Sequence, residues 1–165
     1  MAAGLPRHDQ GVTAQPAPLP ALRLCALGVV VALAATGCSG DGQVPGAADA
    51  RDTWSERGLA SYSYTLTSEC GERALLGTFA VTVTDGAVSA VEPLDEAAGW
   101  SMPAAEPYVP TIEALLDRIA DLPAAEVPEA TFDDDGVPTR VLFDPVPDAI
   151  DDEECFDITD VRPLG

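Results

Sequence analysis

An α+β fold, with an antiparallel sheet of about five to six strands and one helix packed on one face, is predicted by three observations. Several short stretches alternate apolar and polar residues with a period of two. One stretch alone carries the i, i+3, i+4, i+7 apolar spacing of a strong helix, and it divides the strands into two groups of three. One-sided alternation marks an antiparallel sheet with one face on a core and the other open.

The first strand is Ser61 to Thr67, SYSYTLT, where Tyr62, Tyr64 and Leu66 share one face and small hydroxyls the other. Phe79, Val81 and Val83 alternate in the same way with Ala80, Thr82 and Thr84. Asp85-Gly86 then separates that strand from AVSAVEP, which predicts a two-residue type I′ hairpin because both turn positions need positive φ. After an irregular segment, LDEAAGWSMPAAEPYVP, comes the helix TIEALLDRIADL. Its apolar face is Ile112, Leu115, Leu116 and Ile119, with Thr111 as N-cap, Glu113 at the positive end of the dipole and Pro123 as terminator. Pro128 to Phe132 and Thr139 to Phe143 flank Asp133-Asp134-Asp135-Gly136 as a further hairpin, and Cys155 to Val161 makes the last strand.

Ahead of this domain the chain is organised for export. The run LRLCALGVVVALAATG is apolar, is preceded by Arg7 and Arg23, and ends in small residues before Cys38. It is too short for a spanning helix, which needs roughly 20 apolar residues. The ending Ala35-Thr36-Gly37-Cys38 resembles a bacterial lipobox, whose cysteine receives a diacylglycerol and becomes the first residue of the mature chain. Residues 1–37 are therefore read as signal peptide with lipobox, 38–52 as the lipidated N-terminus and a flexible tether, and 53–165 as one extracytoplasmic domain. Cys38 is the lipidation site. The expected location is the outer face of the cell membrane, held there by lipid.

Four cysteines occur. Cys25 falls in the signal and Cys38 takes lipid, which leaves Cys70 and Cys155 to pair as a disulfide in an oxidising compartment. Charge excludes another class of function. The chain carries 8 basic and 28 acidic residues; loss of Arg7, Arg23 and Asp9 with the signal leaves 6 against 27, a net charge of −21. Such a chain repels nucleic acid phosphates, so no nucleic acid partner is expected. Lysine and asparagine are absent, in keeping with a high-G+C bacterial genome.

Trp54, Tyr62-Ser63-Tyr64, Cys70, the V-x-V-x-D-G-x-V pattern from Val81 to Val88, Thr111-Ile112, Gly136-x-Pro138-Thr139 with Asp144, and the terminal Ile158 strand occur in that order. Together they resemble a family of small secreted actinobacterial lipoproteins defined only as a domain of unknown function. The resemblance covers about Asp52 to Val161 and implies fold and export; it implies no catalytic residues. Many members carry a second cysteine close after the first, where this chain has Gly71-Glu72-Arg73.

Missing residue types narrow the chemistry. The single histidine, His8, precedes Cys38, so the mature chain has neither histidine nor lysine. Histidine-based nucleophilic catalysis, Schiff-base chemistry and histidine zinc sites are excluded on composition, and no phosphate loop or dinucleotide fingerprint occurs. No catalytic, cofactor or metal residue is assigned. Asp133-Asp134-Asp135-Gly136 departs from the calcium-loop pattern and reads as a turn. The denser run from Asp148 to Glu154 supports an alternative reading, a weak calcium-dependent module, and carboxylate pairs leave a glycan hydrolase as the remaining enzyme class. The principal expectation is a non-catalytic binding or accessory domain with a cell-envelope protein or glycan as partner. Trp54, Trp100 and Tyr108 lie outside the predicted strands and helix, where an aromatic can anchor a partner or close the core.

Overall fold

The computed structural model describes residues 42–71, 74–146 and 148–165. The signal segment and Cys38 lie outside the described residues. Helix α1 (Ala47–Glu56) leads into a meander of β1 (Tyr62–Ser68), β2 (Gly77–Thr84) and β3 (Ala87–Pro93). Helices α2 (Glu96–Ser101) and α3 (Ile112–Asp121) follow, and a second meander, β4 (Glu129–Phe132), β5 (Pro138–Phe143) and β6 (Glu154–Pro163), completes the chain. All six strands form one antiparallel sheet in the order β3-β2-β1-β6-β5-β4. The fold is α+β.

Register follows the alternation of side chains. Tyr64 faces Val81 and Leu66 faces Phe79 across β1 and β2, while Leu66 also faces Ile158 and Val141 faces Phe156. These residues are buried and form the inner face with Tyr62, Val83 and Phe143. A one-residue slip would send all of them to solvent, so the apolar set fixes the pairing. The Asp85-Gly86 turn has φ values of 51° and 77°, as a type I′ turn requires.

Helix α3 begins where expected. The Thr111 side chain accepts a hydrogen bond from the Ala114 amide at 3.1 Å, and Ile112, Leu115, Leu116 and Ile119 are buried. Its first turn is also held from the sheet: the Tyr62 hydroxyl accepts from the Ile112 amide at 2.9 Å and donates to Glu113 Oε2 at 2.6 Å. Tyr64 donates to the Pro110 carbonyl just ahead of the helix. Two tyrosines on one strand thus satisfy polar groups at the helix start that would otherwise be buried without partners.

Two helices lie beyond the single one expected. Residues 38–52 read as a flexible tether, yet α1 occupies 47–56 and Val44 is already buried, so the folded domain starts ahead of residue 53. Ala47, Ala50 and Trp54 form its buried stripe at i, i+3 and i+7. Alanine methyls give a weak amphipathic signal, and the stripe gains its meaning only where Trp54 meets Tyr62 edge to face at 5.2 Å. The second addition, α2, falls in the stretch read as irregular.

Cys70 and Cys155 form a disulfide, with Cα atoms 5.7 Å apart and 85 residues between them in sequence. It ties the end of β1 to the start of β6, the two central strands. Gly71 follows at φ 76°, where a Cβ would collide with the Glu153 carbonyl, so glycine lets the crosslinked loop lie against the β6 approach. Closing so long a loop restricts the unfolded chain. Replacing both Cys70 and Cys155 by serine should lower unfolding free energy by roughly 2–5 kcal/mol, read from urea denaturation. Unchanged stability would show that the crosslink contributes nothing to this fold.

Candidate functional site

The aromatics outside the strands part company in the structure. Trp54 is only 3% exposed: its indole N–H donates to Glu113 Oε1 at 2.7 Å, and the Arg57 guanidinium lies 5.1 Å from the ring centroid. It closes the core. Trp100 is 81% exposed and Tyr108 66%, and Leu94, in the same segment, is also exposed.

Residues 94–108 present these side chains on a backbone anchored at several points. Asp95 is the N-cap of α2, accepting from the Ala98 amide through Oδ1 at 2.7 Å and from the Thr78 amide through Oδ2 at 2.8 Å. One carboxylate therefore caps the helix and binds it to β2. Those two hydrogen bonds, the Ala98 bond foremost, hold the Asp95 carboxyl below the ordinary aspartate range. Gly77 sits opposite at φ 110°, and a side chain there would strike the Ala98 backbone. Glycine brings the helix into contact with the sheet. Ser101 donates to the Leu76 carbonyl at 2.8 Å, and Ala98 and Ala105 are fully buried. The segment is fixed to the domain at its start, middle and end, which leaves Trp100 displayed on a rigid support. Its indole N–H reaches Glu96 Oε1 at 3.4 Å, one helical turn back.

The acidic stretches do other work. Asp133 Oδ1 accepts from the amides of Asp135 and Val137 at 3.0 and 2.8 Å, building the β4–β5 turn, and Asp135 pairs with Arg57 at 3.3 Å. In the run from Asp148 to Glu154, Glu154 pairs with Arg118 at 2.8 Å, and that guanidinium stacks on Phe143 at 3.8 Å. Nearby Asp144 has its carboxyl raised above the ordinary range by burial and by the like charges of Asp152, Glu153 and Asp148. Among the described residues, no group of three or more histidine, cysteine, aspartate or glutamate side chains could hold a metal ion. A cleft of about 390 Å³ lies beside α1 and α3, lined by Arg51, Trp54, Leu59, Glu113, Leu116 and Asp117. Arg51 and Asp117 pair across it at 2.7 Å, and both Glu113 oxygens already accept hydrogen bonds. Its polar groups are committed to the fold.

Residues 46–163, which include all three α-helices and the whole aromatic segment, match the model of a family of unknown function, DUF6174. The chain belongs to that family. No curated protein and no solved structure matches the chain. In this DUF6174 domain the residues brought together by the fold are Cys70 with Cys155, and Trp54 with Tyr62 and Glu113. Glu96 as the partner of Trp100 is not found in the sequence reading, although the Asp95-Glu96 pair opening DEAAGW carries a helix-start signal that places Glu96 and Trp100 one turn apart.

The two shifted aspartates act in opposite senses on stability. For Asp95, with folded pKa depressed, the stabilising contribution is present above the unfolded aspartate value, about 3.9, and is lost as pH falls through the lower folded value. For Asp144, with folded pKa raised, the contribution is present below the unfolded value and lost as pH rises through the higher folded one. Carboxyl titration by NMR should give a midpoint below ordinary aspartate for Asp95 and above it for Asp144; coincident midpoints would contradict both environments.

Proposed function

We propose that this chain is a lipoprotein acylated at Cys38 and held at the outer face of the cell membrane, and that its folded domain is a non-catalytic binding or accessory module. It engages a cell-envelope partner through residues 94–108. The observation that carries the binding role is Trp100, exposed over 81% of its surface on a helix locked by Asp95, Gly77 and Ser101. Solvent-facing tryptophan on a rigid support supplies large contact area with little entropy left to lose on binding. Loops and short helices at the edge of a sheet are also where binding residues concentrate.

The anchor reading is supported by LAATGCSG after a short apolar run, and by the formation of a disulfide from the two cysteines left after export. Two acyl chains bind stably where one gives marginal attachment. The domain begins to fold by Val44, the first buried side chain among the described residues, only a few positions after Cys38. A short spacer of this kind keeps the domain close to the membrane surface.

Both halves are tested on protein made in its own host. Intact mass of membrane-extracted material should correspond to a chain starting at Cys38 with added acyl mass, and two thiols should appear only on reduction. An unmodified chain starting at Met1 would end the lipoprotein reading. A photo-crosslinking amino acid at the exposed Ala97, in the same helix as Trp100, should form a discrete adduct in living cells, and the same group at the exposed Asp134 should not. Equal labelling from both positions would end the assignment of the binding surface.

A further inference from the structure

The domain uses one arrangement twice for its own stability: an arginine stacked on an aromatic ring while its guanidinium pairs with a carboxylate. Arg57 lies over Trp54 and pairs with Asp135 at 3.3 Å. Arg118 lies over Phe143 and pairs with Glu154 through two bonds of 2.8 and 3.3 Å. On the surface Trp100 and Glu96 also set an aromatic ring beside a carboxylate, here joined directly by the indole N–H donating to Oε1 at 3.4 Å, a bond that neither internal ring makes to its arginine's carboxylate. Among the described residues no arginine pairs with Glu96: Arg51, Arg57, Arg118, Arg140 and Arg162 each pair with carboxylates elsewhere.

Along the sequence that contains the pair, charge has one sign. From Ala74 to Asp117 there are seven carboxylates and no basic residue. Glu92, Glu96 and Glu106 are exposed and make no ion pair among the described residues. We propose that Trp100 and Glu96 receive an arginine side chain from the partner, and that the partner presents that arginine on a basic polypeptide segment. This rests on the assignment of residues 94–108 as the binding surface and names the chemistry of what binds there.

Magnitudes favour a polypeptide over a small cation. A cation on one exposed ring gains about 0.5–1 kcal/mol, so recognition of a free amine needs an enclosing cage of several rings. Trp100 offers an open face. Affinity must therefore come from contacts spread along a chain, with Leu94, Tyr108 and Glu106 as further contact points on the same segment. Arginine is preferred to lysine because its planar guanidinium stacks on the indole while its N–H groups still donate to the Glu96 carboxylate. Anionic lipid and polyanionic glycan carry the wrong sign, and a second copy of this chain would bring the same acidic segment to the contact.

The test uses the full mature protein in zwitterionic micelles at 0.15 M salt, where the Debye length of about 8 Å suppresses the long-range pull of net charge. Twelve-residue peptides alternating glycine with arginine, lysine or citrulline are titrated, and the Trp100 indole N–H resonance, assigned with Trp100→Phe, is followed by NMR. The arginine peptide should move that resonance and bind about two- to fivefold tighter than the lysine peptide, with the citrulline peptide weakest. Read from the peptide's own side-chain resonances, Trp100→Ala and Glu96→Gln should each weaken the arginine peptide about two- to fivefold, while Asp134→Asn, a surface carboxylate elsewhere, leaves it unchanged. Equal binding of arginine and lysine peptides, unaffected by Trp100→Ala, would mean bulk charge attraction and overturn the proposal. Self-association of the protein that is lost in Trp100→Ala would assign the surface to a second copy and overturn it as well. A discrete position-97 adduct to a segment without arginine would preserve the binding surface and reject the arginine; absence of any adduct would reject the surface itself.

Discussion

The hydroxyl of Tyr62 is the point at which sheet and helices are joined. It accepts from the Ile112 amide and donates to Glu113, whose other oxygen accepts from the Trp54 indole. Three elements distant in sequence, α1, β1 and α3, are thereby tied through one carboxylate. Burial and the neighbouring Glu113 carboxylate push the Tyr62 phenol well above its ordinary value, so it stays a donor. A buried polar network of this kind is costly if incomplete, and here every listener has a speaker: each donor and acceptor in it is engaged. The helix can therefore approach the sheet in only one orientation.

From that junction the remaining architecture follows. With α3 set over the sheet, Leu115, Leu116 and Ile119 cover the inner face made by both meanders. The meanders meet only along β1 and β6, strands from opposite ends of the domain, so their pairing carries a large loop-closure cost. The Cys70–Cys155 crosslink acts on that same pairing, at the end of β1 away from Tyr62. At the other end, the register shifts between Ser63 and Thr65, where Asp160 on β6 takes φ 55°, a bulge beyond which the pairing resumes at Ser63 with Arg162 and Tyr62 with Pro163.

This scaffold explains why residues 94–108 can carry exposed aromatics without loosening. Asp95 holds a helix of six residues that would not persist alone, because a helix so short cannot offset its nucleation cost. Packing of Ala98 against Gly77 replaces the missing intrinsic stability. The cost of displaying Trp100 is met by the sheet beneath it and by Ala98 and Ala105, which the segment inserts into the core.

Much of the fold was legible because it rests on local periodicity and turn chemistry. Tyr62, Tyr64 and Leu66 announce a half-buried strand, Asp85-Gly86 its hairpin, and Ile112 to Ile119 a helix, since each signal lies within a few residues. Cysteine count supplied the pair Cys70 and Cys155 by elimination, and their approach to 5.7 Å is a property of the sheet. The tertiary structure alone decided the rest. It turned an alanine stripe ending in Trp54 into a packed helix, made Glu113 a half-buried junction rather than a free surface charge, and separated Trp54, which closes the core, from Trp100, which faces solvent. These outcomes depend on contacts between residues roughly fifty positions apart, and side-chain burial there is set by which surfaces meet, a quantity that no local pattern contains.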